Sequence, residues 1–207
     1  MLHPDTELRP TAERIGVGVF ATRPLPRGTI VWTLDRLDQV FPPGGLEALG
    51  SHYAPILDRY AYRNGQGAWV LCWDLARFVN HSCEANALST GWDFDVAVRD
   101  IAAGEEITND YASLNLDAPF RCWCGAQSCR GWVQPDDFER WADRWDELVR
   151  AAFAETSKVD QPLWRWLPNK RQVRSAFTRI ERLPSPQRHR FAPPAPAAVD
   201  DSVRAAR

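Results

Sequence analysis

No apolar run in the sequence approaches the roughly 18 to 20 residues that a membrane-spanning helix needs. The first residues, from Met1 to Asp5, also lack the basic and apolar stretches of a signal peptide. We therefore expect a cytoplasmic protein without a membrane partner. The 207 residues, of which 44% are hydrophobic and 25% charged, are typical of one globular domain with a small appendage.

Cysteine is scarce and odd in number, which argues against a disulfide framework in a chain without an export signal. There are five cysteines, and their distribution is uneven. Cys122, Cys124 and Cys129 lie within one short segment, whereas Cys72 and Cys83 stand apart. This distribution indicates a metal site.

A third glycine that would open a helix is missing after Gly16 and Gly18, so the dinucleotide-binding fingerprint is excluded. Two glycines two residues apart either close a tight hairpin or let the backbone approach a ligand. The residues by themselves favour the hairpin.

The net charge of −2 hides an asymmetry along the chain. From Lys158 onward there are 11 basic and 4 acidic residues, a balance of +7, which leaves −9 for the first 157 residues. An acidic body favours a basic partner. The basic tail offers a contact for nucleic acid, although a solvated tail is the simpler interpretation.

Short strands are predicted throughout the first half of the chain. Runs of β-branched and apolar residues indicate a strand over 29–34, a hairpin with strands at 60–63 and 68–73, and two strands at 86–90 and 94–99. A short helical stretch is expected over 46–57. Many short strands with few helices indicate a compact β fold.

Helices are predicted near the C-terminus. Apolar residues recur at helical spacing from Phe138 to Ala152. A second helix is expected from an N-cap at Asn169 to Ile180, and Pro184 ends it. Residues 184–207, rich in Pro, Ala and Arg, are expected to form a disordered tail.

Three motifs in order resemble those of the SET-domain protein lysine methyltransferases. They are Gly16–Gly18, then Arg77–Cys83 with the sequence Arg-Phe-Val-Asn-His-Ser-Cys, then Gly104–Tyr111. The spacing is similar to that of the short bacterial members. The sequence departs from the family at Ala85, where proline is usual, and at Asn109, where phenylalanine or tyrosine is usual.

The resemblance implies a mainly β (α+β) fold with several short antiparallel sheets, a zinc-binding loop and C-terminal helices. The implied divisions are a SET domain over 7–120, a post-SET zinc loop over 121–133, a C-terminal helical segment over 134–183 and the tail over 184–207.

Cys122, Cys124 and Cys129 offer three thiolates, and a structural zinc ion needs four ligands. The fourth must come from Cys83 or Cys72. Cys72 sits in an apolar strand and is expected to be a small core residue. In the post-SET motif that this segment resembles, the cysteine of the Asn-His-Ser-Cys block is the fourth ligand, which points to Cys83.

The resemblance also implies S-adenosylmethionine as the cofactor. Gly16 and Gly18 would let the backbone wrap its methionine end, and Asn80 would bind its amino group. His81 would hold the adenine through backbone groups, and Trp132 would pack on it. The implied cofactor-binding residues are Gly16, Val17, Gly18, Asn80, His81, Tyr111 and Trp132.

Tyr111 is the implied catalytic residue, with its hydroxyl near the transferred methyl group. Tyr60, Tyr62 and Asn109 are expected to border the channel for the substrate lysine. The expected substrate is a basic, lysine-containing protein, histone-like or ribosomal. Two alternatives stay open: a catalytically inactive SET-like zinc module that binds a partner or nucleic acid, and a methyltransferase for another acceptor.

Overall fold

The computed structural model describes residues 1–12 and 14–192, and it consists mostly of short strands. The predicted mainly β fold is confirmed. The strands are β1 Thr6–Pro10, β2 Val17–Ala21, β3 Ile30–Thr33, β4 Gln39–Phe41, β5 Ala61–Arg63, β6 Trp69–Leu71, β7 Asn80–His81, β8 Ala87–Ser89, β9 Phe94–Ala97, β10 Glu106–Asn109, β11 Phe120–Arg121 and β12 Trp132–Val133. The α-helices in this part of the chain are α1 Ala54–Tyr60, α2 Asp137–Thr156 and α3 Lys170–Thr178.

The strands form four small sheets, ordered β1-β2-β10-β7, β3-β9-β8, β4-β6-β5 and β11-β12. Neighbouring strands are antiparallel except β10 and β7, which run parallel. In that pair Thr108 lies opposite Asn80, and Asn109 lies opposite His81. The second and third sequence motifs therefore lie side by side.

The C-terminal helices share a core with the sheet β3-β9-β8. The apolar stripe of α2, which includes Phe138, Trp145, Val149 and Phe153, packs into the same buried cluster as Phe94 of β9. Burying a large apolar side chain contributes roughly 1.5–3 kcal/mol. Residues 134–183 are therefore part of the body of the protein, and they are not a separate unit.

The helix expected over 46–57 is shorter and starts later than predicted. Gly50 has a φ of 91°, which no helical residue adopts, and two 3₁₀ turns precede α1. Tyr60 consequently ends α1 and does not lie in the strand of Tyr62. The expected cap of α3 is also different, because the Asn169 side chain makes no capping bond.

The ordered part of the chain extends beyond residue 184, where the disordered tail was predicted to begin. Pro186 is buried, and the side chain of Asn115 donates to the His189 carbonyl oxygen at 2.8 Å. The Asn115 side-chain oxygen accepts from the Phe191 amide at 2.8 Å. Residues 184–192 therefore pack on the body, and the rest of the predicted tail, 193–207, lies outside the described residues. Among the described helices, none has the length and apolar character to cross a membrane.

Candidate active site and metal site

The Asn80 side chain is held with a fixed orientation at the start of β7. Its amide nitrogen donates to the Val17 carbonyl oxygen at 3.0 Å and to the Glu106 carboxylate at 2.7 Å. Because both partners are acceptors, the nitrogen must face them, and the side-chain oxygen faces away. Asn80 therefore presents an acceptor to a ligand that carries N–H groups.

The two N-terminal glycines have different roles. Gly16, with a φ of 95°, closes the hairpin between β1 and β2, and its carbonyl oxygen accepts from the Thr11 amide at 3.0 Å. Gly18 lies within β2, where an added Cβ would be 2.2 Å from the Glu106 carboxylate and 2.9 Å from the Asn80 amide nitrogen. The hairpin interpretation therefore applies to Gly16, whereas Gly18 lets the backbone of β2 lie close to the Asn80 and Glu106 side chains.

His81 connects the two motifs that meet at β7 and β10. Its Nδ1 accepts from the Tyr111 amide at 3.1 Å, which leaves the proton on Nε2, 3.5 Å from Cys83 Sγ. Burial, together with the positive charge of Arg130, lowers the pKa of His81 to about 4. The ring is therefore neutral at pH 7 and is held in one tautomer.

Tyr111 is half-buried and is a neutral phenol at pH 7. Its hydroxyl donates to the Val79 carbonyl oxygen at 2.7 Å, and its ring lies 5.6 Å from His81 and 6.2 Å from Phe120, measured between ring centroids. Burial raises the pKa of Tyr111 to about 12. The hydroxyl oxygen consequently keeps its lone pairs for a further partner.

A cavity of about 460 Å³ lies beside Tyr111, and we call it the acceptor cavity. Tyr60, Tyr62 and Asn109, which were expected to border a lysine channel, all line it, and so does Tyr111. Cys72 is buried in the wall of this cavity, and its sulfur is not among the donor atoms that converge at His81, Cys83, Cys122 and Cys124. The aromatic residues of the wall are Trp32, Tyr60, Tyr62, Trp69, Trp92 and Tyr111.

Asn109 is supported from behind by a buried carboxylate. Its amide nitrogen donates to Asp95 at 2.8 Å, and the other oxygen of Asp95 accepts from the Ser89 hydroxyl at 2.7 Å. Burial raises the pKa of Asp95. The side-chain oxygen of Asn109 is buried and has no hydrogen-bond partner among the described residues. Leaving such an acceptor unpaired costs about 1–3 kcal/mol, so this site can accept a donor from a bound molecule.

The three cysteines of residues 121–133 lie next to Cys83, which ends the second motif. We call this group the cysteine corner: Cys83, Cys122, Cys124 and Cys129. Cys83 and Cys122 have their sulfur atoms 3.7 Å apart. The donor atoms of His81, Cys83, Cys122 and Cys124 all lie within 4.8 Å of one another. Cys129 is adjacent, with its sulfur 4.0 Å from the Cys122 carbonyl oxygen.

Backbone and guanidinium donors point at two sulfur atoms of the cysteine corner. The Cys83 amide donates to Cys124 Sγ at 3.5 Å, and the amide and guanidinium of Arg130 donate to Cys83 Sγ at 3.3 Å each. Burial opposes ionisation of Cys124, but hydrogen bonds from the Cys83 and Ala126 amides and from the neighbouring thiols lower the pKa of its thiol to about 7. Burial raises the pKa of the Cys83 and Cys122 thiols. The fit to a structural zinc ion rests on the convergence of the sulfur donors, because zinc binds cysteine as the thiolate and displaces the proton of each thiol.

Comparison with known proteins identifies this part of the chain. The family model described as "SET domain" matches residues 16–112. These residues include β2, β7 and β10, together with Gly16, Gly18, Asn80, His81 and Tyr111.

The chain contains a SET domain.

Relatives of this SET domain are named as histone-lysine methyltransferases. Histone-lysine N-methyltransferase Set2 of Drosophila melanogaster is 31% identical over 61% of this chain and 6% of its own length. The H3 lysine-36 specific enzyme of Schizosaccharomyces pombe is 27% identical over 78% of this chain and 21% of its own length. The chain thus spans a small part of these relatives. The methyltransferase domain of human SETMAR gives a TM-score of 0.45 at 21% identity, covering 64% of this chain and 58% of that chain.

Arg130 joins the SET domain to the cysteine corner and to α2, a role that the sequence analysis missed. Its guanidinium lies 2.5 Å from the Asp110 carboxylate and 3.4 Å from that of Asp137. It also lies over the ring of Trp141, 5.2 Å from the centroid. Trp145 donates to the second oxygen of Asp110 at 3.2 Å. The only sequence signal was the position of Arg130 directly after Cys129.

Two further residues near the SET-domain motifs were missed. Glu106, inside the third motif, places a carboxylate against Asn80. Trp123, between two cysteines of the corner, is 57% exposed and has Arg14 at 5.0 Å and Arg121 at 4.3 Å from its ring centroid. Trp132, the aromatic residue predicted to pack on the cofactor, is 51% exposed on β12.

Proposed function

We propose that this protein transfers methyl groups from S-adenosylmethionine to the side-chain amine of lysine in a protein substrate. The observation that carries the proposal is the parallel pairing of β7 with β10. This pairing brings Asn80, His81 and Tyr111 together between the glycine hairpin and the acceptor cavity. A reaction between a cofactor and a separate acceptor needs two such compartments that meet at one point.

The residues around Asn80 fit the amino-acid end of S-adenosylmethionine. The side-chain oxygen of Asn80 faces away from Val17 and Glu106, and it is suited to accept from an ammonium group. The Glu106 carboxylate adds a negative charge beside it. Because Gly18 has no Cβ, there is room at a position where a side chain would collide with Asn80 and Glu106. The cofactor, when bound, supplies a sulfonium methyl group as the electrophile.

The acceptor cavity is suited to an uncharged lysine amine. A free lysine has a pKa of about 10.4, and only its neutral form carries the lone pair that attacks the methyl group. Aromatic walls remove water from the amine and so lower its pKa. The Tyr111 hydroxyl, fixed by its bond to Val79, can accept from the amine and orient it. Holding two reactants in line supplies several kcal/mol of the barrier.

The cysteine corner would hold one structural zinc ion. Cys83, Cys122, Cys124 and Cys129 are the proposed ligands. His81 Nε2 is close to them, but it could bind the ion only if the ring gave up its hydrogen bond from the Tyr111 amide and moved its proton to Nδ1. Because Cys83 follows β7 directly, ion binding and the position of His81 are linked. Such an ion would stabilise the residues beside the cofactor and would take no part in methyl transfer.

The proposed substrate is a basic, lysine-containing protein, such as a histone-like or ribosomal protein. Its support is the balance of −9 in the first 157 residues and the histone-lysine specificity in the names of the relatives. We also propose a cytoplasmic location, because a cluster of zinc-binding thiolates stays reduced in that compartment.

Two measurements test the proposal. Calorimetric titration should detect binding of S-adenosylmethionine, and Asn80→Ala should weaken it. Incubation of a cell lysate with labelled S-adenosylmethionine should label discrete protein bands, in which mass spectrometry finds methylated lysine. Cofactor binding without any transfer would favour the inactive binding module instead. Methylation of a residue other than lysine would overturn the assigned acceptor.

A further inference from the structure

The basic charge that the sequence analysis assigned to the tail lies in the folded part of the C-terminal region. Residues 158–192 contain nine of the 11 basic residues that follow position 157 and two of the four acidic ones, a balance of +7. Residues 193–207 contribute two basic and two acidic residues. The excess of positive charge therefore belongs to α3 and to the segment that packs beside it.

An open cleft of about 560 Å³ collects part of this charge, and we call it the basic cleft. Arg171 of α3, Arg182 and Arg188 line it, and each of the three side chains is exposed. The guanidinium of Arg182 donates to the hydroxyl of Ser175. The residues that complete the lining are Trp92, Gln172, Ser175 and Pro184.

The three arginines of the basic cleft differ in their partners from the arginines on and near α2. In the part of the chain that the structure describes, no carboxylate lies within ion-pair distance of any of them. By contrast, Arg130, Arg140, Arg144 and Arg150 on and near α2 all pair with carboxylates. Guanidinium groups with free donors and converging positions form a receptor for oxyanions such as phosphate.

We propose that the basic cleft binds the phosphate backbone of a nucleic acid. The charge extends beyond one phosphate site, since Arg174 and Arg179 of the same region are also exposed. Several exposed arginines on α3 and in the segment after it suit a chain of phosphates better than a single phosphorylated side chain.

The position of the basic cleft relates it to the acceptor cavity. Trp92 lines both of them, so a nucleic acid in the cleft would lie on the other side of one wall of the cavity. A basic protein that is bound to nucleic acid could thus be held near the cavity by its partner. The binding itself does not depend on the proposed methyl transfer.

Fluorescence anisotropy with a short labelled DNA duplex, and with a labelled single-stranded RNA, tests the proposal at several salt concentrations. The test variant combines Arg171→Glu, Arg182→Glu and Arg188→Glu. A matched control combines Arg23→Glu, Arg36→Glu and Arg144→Glu, which are exposed arginines with the same change in charge. Each lost phosphate contact should lower the slope of log affinity against log salt by about 0.9 on duplex DNA.

The expected result is a loss of affinity on the order of 100-fold at low salt, with a slope lower by about 2.7, for the test variant only. Circular dichroism and thermal unfolding check that this variant is folded. If it is not, the single changes Arg171→Gln and Arg188→Gln replace it, and each should lower the slope by about 0.9. Equal losses in the control variant would show a net-charge effect and overturn the site.

Two other results would also overturn the proposal. The first is that neither nucleic acid binds the unaltered protein at low salt. The second is that a phosphoserine peptide binds the cleft in preference to both nucleic acids. Loss of methyl transfer in the test variant would not bear on it, so this proposal and the proposed function fail separately.

Discussion

The cysteine corner and the acceptor cavity lie on the same pair of parallel strands, but they are stabilised by different forces. The corner brings thiols next to the buried Arg130 and its carboxylate partners. The cavity has aromatic walls, and Asn109 in its lining is held from behind by Asp95. A group of ionisable donors needs a cation, whereas an aromatic wall is stabilised by burial of its own surface.

The difference indicates how the two regions depend on each other. The corner should lose its structure if a bound zinc ion is removed, because its converging sulfur atoms would then lose their common partner. The cavity should keep its walls under the same treatment, but the position of His81 beside Cys83 would change with the corner. The following predictions test this dependence in order of decreasing effect.

Cys122→Ser should have the largest effect, because structural zinc sites are worth on the order of 10 kcal/mol in model peptides. We expect loss of the metal, a large decrease in thermal stability and loss of methyl transfer. Metal analysis and thermal unfolding measure the first two. Cys72→Ser is the control and should keep the metal. Retention of metal by Cys122→Ser together with loss in Cys72→Ser would contradict the assigned site.

The same metal analysis decides between the two candidates for the remaining ligand. If Cys129 is a ligand, Cys129→Ser should lose the metal and His81→Asn should keep it. The proximity of His81 Nε2 to Cys83 makes the comparison necessary. Loss of the metal only in His81→Asn would replace the four-cysteine site with three cysteines and one histidine.

Arg130→Met should destabilise the protein by about 3–5 kcal/mol, the range for removing one partner of a buried ion pair. Asp110 and Asp137 would lose their cation, and Cys83 would lose a donor. Urea denaturation with zinc present measures the free energy of unfolding. Arg144→Met is the control, since its pair with Glu147 is exposed and worth at most about 1 kcal/mol. Equal effects of the two changes would mean that Arg130 does not join the corner to α2.

Tyr111→Phe should lower kcat by about 100-fold or more, which corresponds to about 2.7 kcal/mol. The hydroxyl acts mainly near the transition state, so cofactor affinity should be nearly unchanged. Single-turnover kinetics and calorimetry separate the two quantities. Tyr53→Phe, at an exposed tyrosine, should leave both unchanged. Full activity of Tyr111→Phe would remove this residue from the mechanism.

Asn109→Tyr should have the smallest energetic effect and should change the product. Asparagine leaves more room in the acceptor cavity than an aromatic residue does, so the unaltered protein should favour higher methylation. The tyrosine should lower the number of methyl groups per lysine, as read by mass spectrometry. Ser89→Ala is the control, because it keeps Asn109 and removes only the Ser89 hydroxyl that donates to Asp95. An unchanged product distribution in Asn109→Tyr would mean that this side chain does not limit the cavity.

Local patterns in the sequence determined much of the fold. Strands β3, β5, β6, β8 and β9 and helix α2 lie where β-branched runs and helical periodicity predicted them. The four cysteines of the corner and the three motifs were also predictable, because each motif is contiguous or regularly spaced. The helix over 46–57 and the tail were harder to predict. Gly50 shortened the helix, and contacts with the distant Asn115 ordered the first part of the tail.

Only the tertiary structure decided how these pieces combine. Arg130 reaches Asp110 across 20 residues, and Asn109 reaches Asp95 across 14. The basic cleft gathers arginines from α3 and from the segment after it, whereas the sequence showed only a balance of charge. Propensity and periodicity report on neighbours along the chain. Contacts of this kind depend on the packing of separate elements, which no local pattern encodes.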